Sequence, residues 1–205
     1  MKKNIITELK HHAPFTIFGA LTGVVLMLIF YRIPSEIAHN IFYVLHPMHI
    51  ILSAIVTASM YKIYAKKVNP LLLILIGYVG SVGIATLSDS IIPYLGEILL
   101  DLPNKGLHLG FIEKWWLVNP LAFLGIAIAY FNPKTKFPHA GHVLLSTWAS
   151  LFHIIMALGG VITFSLATGV FIFLFIAVLI PCCLSDIIFP LLFVKSKKRL
   201  IEKNI

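Results

Sequence analysis

Apolar runs of about twenty residues, separated by short polar segments, recur along the whole chain. Six stand out, at about 14–31, 41–63, 70–93, 116–131, 140–162 and 165–194. A helix needs about 20 predominantly apolar residues to cross a hydrocarbon core of about 30 Å. The pattern therefore predicts an all-α polytopic membrane protein with six transmembrane helices. Their unequal lengths predict tilt or breaks. Two of the runs carry polar residues at a helical period. His46, His49, Ser53, Thr57 and Met60 are spaced three, four, four and three apart, and His139, His142, Ser146, Ser150 and His153 repeat that spacing. Each set lies on one helical face. At 1.5 Å per residue such a stripe runs about 21 Å, most of the hydrocarbon thickness.

The second stripe belongs to a wider duplication. His46-Pro-Met-His49-Ile-Ile-Leu-Ser53 is matched by His139-Ala-Gly-His142-Val-Leu-Leu-Ser146, and Leu87-Ser88-Asp89 up to Pro93 is matched by Leu184-Ser185-Asp186 up to Pro190. A weaker match, Pro14 to Gly19 against Pro120 to Gly125, falls in the right order ahead of each. The chain thus divides into two three-span repeats, 1–103 and 104–205. Because three is odd, the second repeat crosses the membrane in the opposite sense, an inverted-topology repeat of the kind transporters use.

Charge sets the expected orientation. Of a net +8, the lysines and arginines gather at 2–10, 62–67, 134–136 and 195–199, all on one side of a six-span chain. By the positive-inside rule both termini are cytoplasmic, in a cell (inner) membrane, with the basic first span retained rather than cleaved. The opposite loops hold Glu36, Glu97, Asp101 and Glu113, with Trp115 and Trp116 placed as an interfacial belt. At 59% hydrophobic and 12% charged, the chain is built for a lipid bilayer, and its positive charge does not indicate nucleic acid. A homo-oligomer stays open.

Polar residues inside spans direct attention to chemistry, since an unpaired carboxylate in lipid costs several kcal/mol. Consecutive spans are antiparallel, so His46 and His49 share a depth with Asp89, and His139 and His142 share one with Asp186. Each His-His-Asp set offers two imidazole nitrogens and a carboxylate oxygen, a ligand set for a divalent metal such as zinc, iron, manganese or cobalt. Inversion places the first set towards the outer side and the second towards the cytoplasmic side. Additional candidates are His11 and His12 ahead of the first span, His153 on the stripe, Ser53, Ser146, Ser88 and Ser185, and Cys183 one turn before Asp186. Cys182 and Cys183 otherwise read as small core residues, and His39 and His108 as solvated interfacial ones. Pro93 and Pro190 each follow their Asp by four residues and deprive its carbonyl of an α-helical partner.

No H-E-x-x-H motif, phosphate-binding glycine loop or G-x-S-x-G elbow is present in the sequence. The reading is a transporter for a cation, a divalent transition metal or protons coupled to a small solute, rather than an enzyme. An intramembrane metal-dependent hydrolase acting on a lipid or prenyl substrate, and a haem-binding electron carrier, remain alternatives. The least specific reading is that each Asp simply locks helices together.

Overall fold

The computed structural model describes residues 2–194, with side chains from Ala13 onward apart from those of 136, 137, 183 and 187. The described residues form helices and connecting turns without strands. α1 spans Lys2–Phe30 and α2 Ser35–Tyr64. α3 spans Pro70–Leu99, opened by Asn69, whose side-chain oxygen accepts the Leu71 and Leu72 N–H groups, and by Pro70 at the first helical position. A short α4, Gly110–Glu113, leads into α5, Trp115–Phe131. α6 spans Lys136–Ala157, and α7, Phe164–Leu192, is capped by the Thr163 hydroxyl on Leu166 N–H.

Five of these helices are long and apolar enough to cross a membrane. The sixth expected span is α5, whose 17 residues make about 26 Å of helix, short of a core of about 30 Å. The turn at Lys114 and the Asn132-Pro133 exit limit it. Other boundaries also move: α2 starts at Ser35 rather than 41, and α6 ends at Ala157 rather than 162. Large apolar side chains such as Phe15, Phe18, Leu71, Leu124 and Phe131 point outward. An exposed surface of that composition suits lipid contact.

α2 and α6 make the centre: their apolar segments are 67% and 72% buried, against 28% for α1 and 35% for α7. They run antiparallel, since Phe42 meets His153, His49 meets His142, and Ser59 meets the Lys134 backbone just ahead of α6. Around them, α1 and α7 pack one side through Met27, Phe42, Leu151, Ile154 and Leu174. α3 and α5 pack the other through Ala54, Ala58, Leu73, Ile76 and Ile126. Glycines permit close approaches between helices. A Cβ on Gly125 would stand 2.6 Å from the Ile51 carbonyl and 2.8 Å from Ala54, and one on Gly19 would stand 2.9 Å from Thr147. Small residues at such contacts are how membrane helices approach each other.

α3 and α7 are not uniform α-helices. Val79–Gly83 and Leu87–Ile91 in α3, and Leu184–Ile188 in α7, wind as π-helical turns. Two of the three contain an aspartate followed at four residues by proline. Proline supplies no N–H and its ring crowds the carbonyl four residues back, so the turn widens there. The turn at 79–83 has no proline; its Ser81 hydroxyl bonds back to the Gly77 carbonyl at 2.6 Å, a habit that bends helices.

Candidate metal-binding site

Asp89 sits in the π turn at 87–91 and faces α2. His46 and His49, three residues apart and so on one side of α2, place their Nδ1 atoms 2.8 and 2.7 Å from Asp89 Oδ2. Asp89 Oδ1 accepts from the Ser88 hydroxyl at 2.6 Å and from Ser146 on α6 at 2.8 Å. All five residues are buried. Asp186, in the π turn at 184–188, repeats the first half of this arrangement: His139 Nδ1 and His142 Nε2 lie 2.7 and 2.6 Å from its Oδ2. Its Oδ1 is buried with no hydrogen-bond partner. His139 is 24% exposed whereas His46 is fully buried.

These distances are those of hydrogen bonds. Nitrogen and oxygen ligands about 2.1 Å from a tetrahedral ion stand about 3.4 Å apart, so either set must open by roughly 0.7 Å to take an ion. Geometrically both groups, His46–His49–Asp89 and His139–His142–Asp186, can hold a metal.

The sequence places the two sets on opposite sides of the membrane; in the structure they adjoin. The His49 and His142 rings stack at 5.5 Å and 16°. The cause is the early start of α2, which puts His49 at the middle of that helix rather than near its end. Hydrogen bonds join α6 to α3, and α7 to α2 and α3. Ser146 and Ser150 of α6 donate to Asp89 and to the Ser88 carbonyl, the latter at 2.9 Å. Ser53 and Thr57 of α2 meet the Ser185 hydroxyl at 3.4 and 3.0 Å, and Ser185 donates to the Gly80 carbonyl at 2.8 Å.

Polar side chains continue beyond the first set. His153 Nδ1 is 2.7 Å from Glu97 Oε1, both buried. Its ring abuts His108, which abuts His39. His39, His108 and Glu113 form another group able to hold a metal, at the exposed end of the column. Glu113 accepts from the Tyr43 hydroxyl at 2.5 Å and from the Leu109 N–H at 3.0 Å. Burial alone would raise its carboxyl, but these bonds and the neighbouring His108 hold it below the usual glutamate range. Gly110 closes over the first set, since a Cβ there would lie 2.6 Å from His46 Nε2. From His39 to Thr57 the column covers about 27 Å of α2.

Of the residues singled out from sequence, His46, His49 and Asp89 come together, as do His139, His142 and Asp186. Ser88, Ser146, Ser53 and Ser185 lie between the halves, and His153 pairs with Glu97. The side chains of His11, His12 and Cys183 lie outside the described residues. Sequence reasoning missed Glu97, and it missed His39, His108 and Glu113, which come together through the 100–114 loop. It also treated Cys182 as packing, whereas its Sγ is buried 3.9 Å from His142 Nδ1. An apolar helical bundle with buried His/Asp groups that can bind metal is what the chain presents. No protein-family model matches it, and neither does any curated protein or solved structure.

Proposed function

We propose that the protein is a multi-pass membrane transporter for a divalent transition-metal cation, which the two His-His-Asp sets pass between them. The observation that carries this reading is that these sets are duplicated, buried except at His139, and joined end to end through His49 and His142. Among the described residues only four buried side-chain polar atoms lack a partner, and three of them, His46 Nε2, His153 Nε2 and Asp186 Oδ1, lie on this column. A buried polar atom left unpaired costs about 1–3 kcal/mol, which a passing cation or its water would relieve.

The contacts also support two inverted three-helix repeats, 1–103 and 104–205. Exchange of the halves maps Gly125 on Ala54 to Gly19 on Thr147, and Ser146 and Ser150 on Ser88-Asp89 to Ser53 and Thr57 on Ser185. The antiparallel α2–α6 pair lies where the two halves meet. In this arrangement α5 completes the sixth crossing, both termini are cytoplasmic, and the membrane is the cell (inner) membrane. The His139 end is then the more open, cytoplasmic one, and His39, His108 and Glu113 form the outer mouth.

The test is metal uptake into proteoliposomes by the unaltered protein, Asp89→Asn and Asp186→Asn. Each variant keeps the side-chain shape and removes the charge. Both should lose uptake while remaining folded. One dead and one fully active variant would favour a single-site enzyme over transport; two active variants would make the sets structural.

A further inference from the structure

We infer that His49, His142 and Cys182 form a soft-metal site where α2, α6 and α7 meet, with Asp89 and Asp186 acting as positioning residues rather than ligands at that site. The inference rests on the proposed transport only in identifying the bound ion with the cargo; the site itself stands on geometry.

One ligand atom from each of the three residues lies within 4.8 Å of the other two, and all three residues are buried. Each imidazole is tied at one nitrogen and has the other to offer. His49 uses Nδ1 for Asp89, which leaves Nε2; His142 uses Nε2 for Asp186, which leaves the Nδ1 that faces Cys182 Sγ at 3.9 Å. A metal-bound histidine characteristically donates its second ring N–H to a carboxylate, which fixes the tautomer and strengthens the ligand. Here both histidines have that support from their own half. The spacing is close to what an ion requires: ligands about 2.1 Å (N) and 2.3 Å (S) from a metal stand about 3.6 Å apart in a tetrahedral site and about 3.8 Å apart in a trigonal one. Cys182 Sγ, 3.9 Å from His142 Nδ1, is within a few tenths of an ångström of that separation, and His49 has to close in from at most 4.8 Å. The His-His-Asp sets instead have to open.

This donor set narrows the ion. Thiolate with two imidazoles suits zinc, cobalt(II) or copper(I), whereas magnesium and manganese prefer oxygen ligands. The thiol loses its proton on binding. Three protein ligands leave a coordination position for exchange, as in sites that must release what they bind.

Cobalt(II) titration of the purified protein in detergent tests this, because a bound thiolate gives a near-ultraviolet sulfur-to-cobalt charge-transfer band. The band should appear with the unaltered protein and with Cys183→Ser, vanish with Cys182→Ser, and be displaced by zinc but not by manganese. A band retained in Cys182→Ser, or cobalt bound without a band, overturns the site. Should Cys182→Ser fail to fold, zinc-edge X-ray absorption on the unaltered protein decides: one sulfur at about 2.3 Å supports the site, and a shell of nitrogen and oxygen alone overturns it. A band present in protein that moves no metal would reject transport and leave the site intact.

Discussion

Ser53 and Ser146 occupy equivalent positions in the two matched sequence motifs, yet their removal should have unequal cost. Ser146 donates at 2.8 Å to the carboxylate of Asp89 and is fully buried, while Ser53 meets only the Ser185 hydroxyl, at 3.4 Å. A hydrogen bond to a charged group contributes about 1.5–3 kcal/mol, against a mean of about 0.6 kcal/mol for polar contacts between helices in a membrane protein. Ser146→Ala leaves Asp89 Oδ1 with Ser88 as its sole donor, so about 2 kcal/mol is expected, whereas Ser53→Ala should lose about 0.6 kcal/mol. For a chain of this size 1 kcal/mol moves Tm by about 2–4 °C, giving a fall of about 4–8 °C for Ser146→Ala and about 1–2 °C for Ser53→Ala. Thermal unfolding of both variants in the same detergent, followed by circular dichroism, is the assay. Equal shifts, or a larger one for Ser53→Ala, would refute the claim that Asp89 draws its stabilisation from α6.

Gly125→Ala should cost about 1–3 kcal/mol through overpacking against the Ile51 carbonyl, read as a lower midpoint of unfolding; a neutral effect would mean that α5 does not approach α2 so closely. Zinc at a hundredfold excess over its dissociation constant should stabilise the protein by about 2.7 kcal/mol, or about 5–11 °C in Tm, in a chelator-reversible way. Glu113 has a folded pKa below its unfolded value, so its contribution is full above the unfolded pKa and lost as pH falls through the folded one. Hydrogen exchange at Leu109 should therefore be slow at neutral pH after correction for intrinsic rates, and its protection should fall only on acidification below the usual glutamate range.

The His46–His49–Asp89 and His139–His142–Asp186 groupings were legible in the sequence because they need only two things, a three-residue helical spacing and antiparallel neighbours. The exact depth was not, because apolar composition does not locate a helix start that depends on the Pro34 turn. Contacts made by His108 and Glu113, and the bond Glu97 accepts from the Gly106 N–H, depend on the path of 100–114, where Asp101 takes a left-handed conformation with φ of 50°. Nothing in the local pattern fixes such a path. Cys182 was passed over for a different reason. It resembles any small residue in a packed helix until the azimuth of α7 against His142 is known.

The π turns of α3 have a consequence for how this protein tolerates change in length. Nine residues separate Gly80 from Asp89, which at about 100° per residue would set them on opposite faces of a plain α-helix. Yet both face α2, a Cβ on Gly80 standing 2.5 Å from Thr57 and Asp89 bonding His46 and His49, because the π turns take more residues per revolution and rotate the later part of the helix back. The remainder of the second π turn rotates Glu97 in the same sense, closer to Asp89 than the angle of about 80° that plain α winding gives, and there it meets His153. Deleting one residue from 87–91 would be absorbed as that turn reverts to α winding, whereas deleting one from the α-wound stretch 94–96 would swing everything beyond it by about 100° relative to the rest. The span would keep its length class and its hydropathy and still insert. Its carboxylates would no longer point the same way, so outside the π turns the count of residues, and not their polarity, is what this helix is least free to alter.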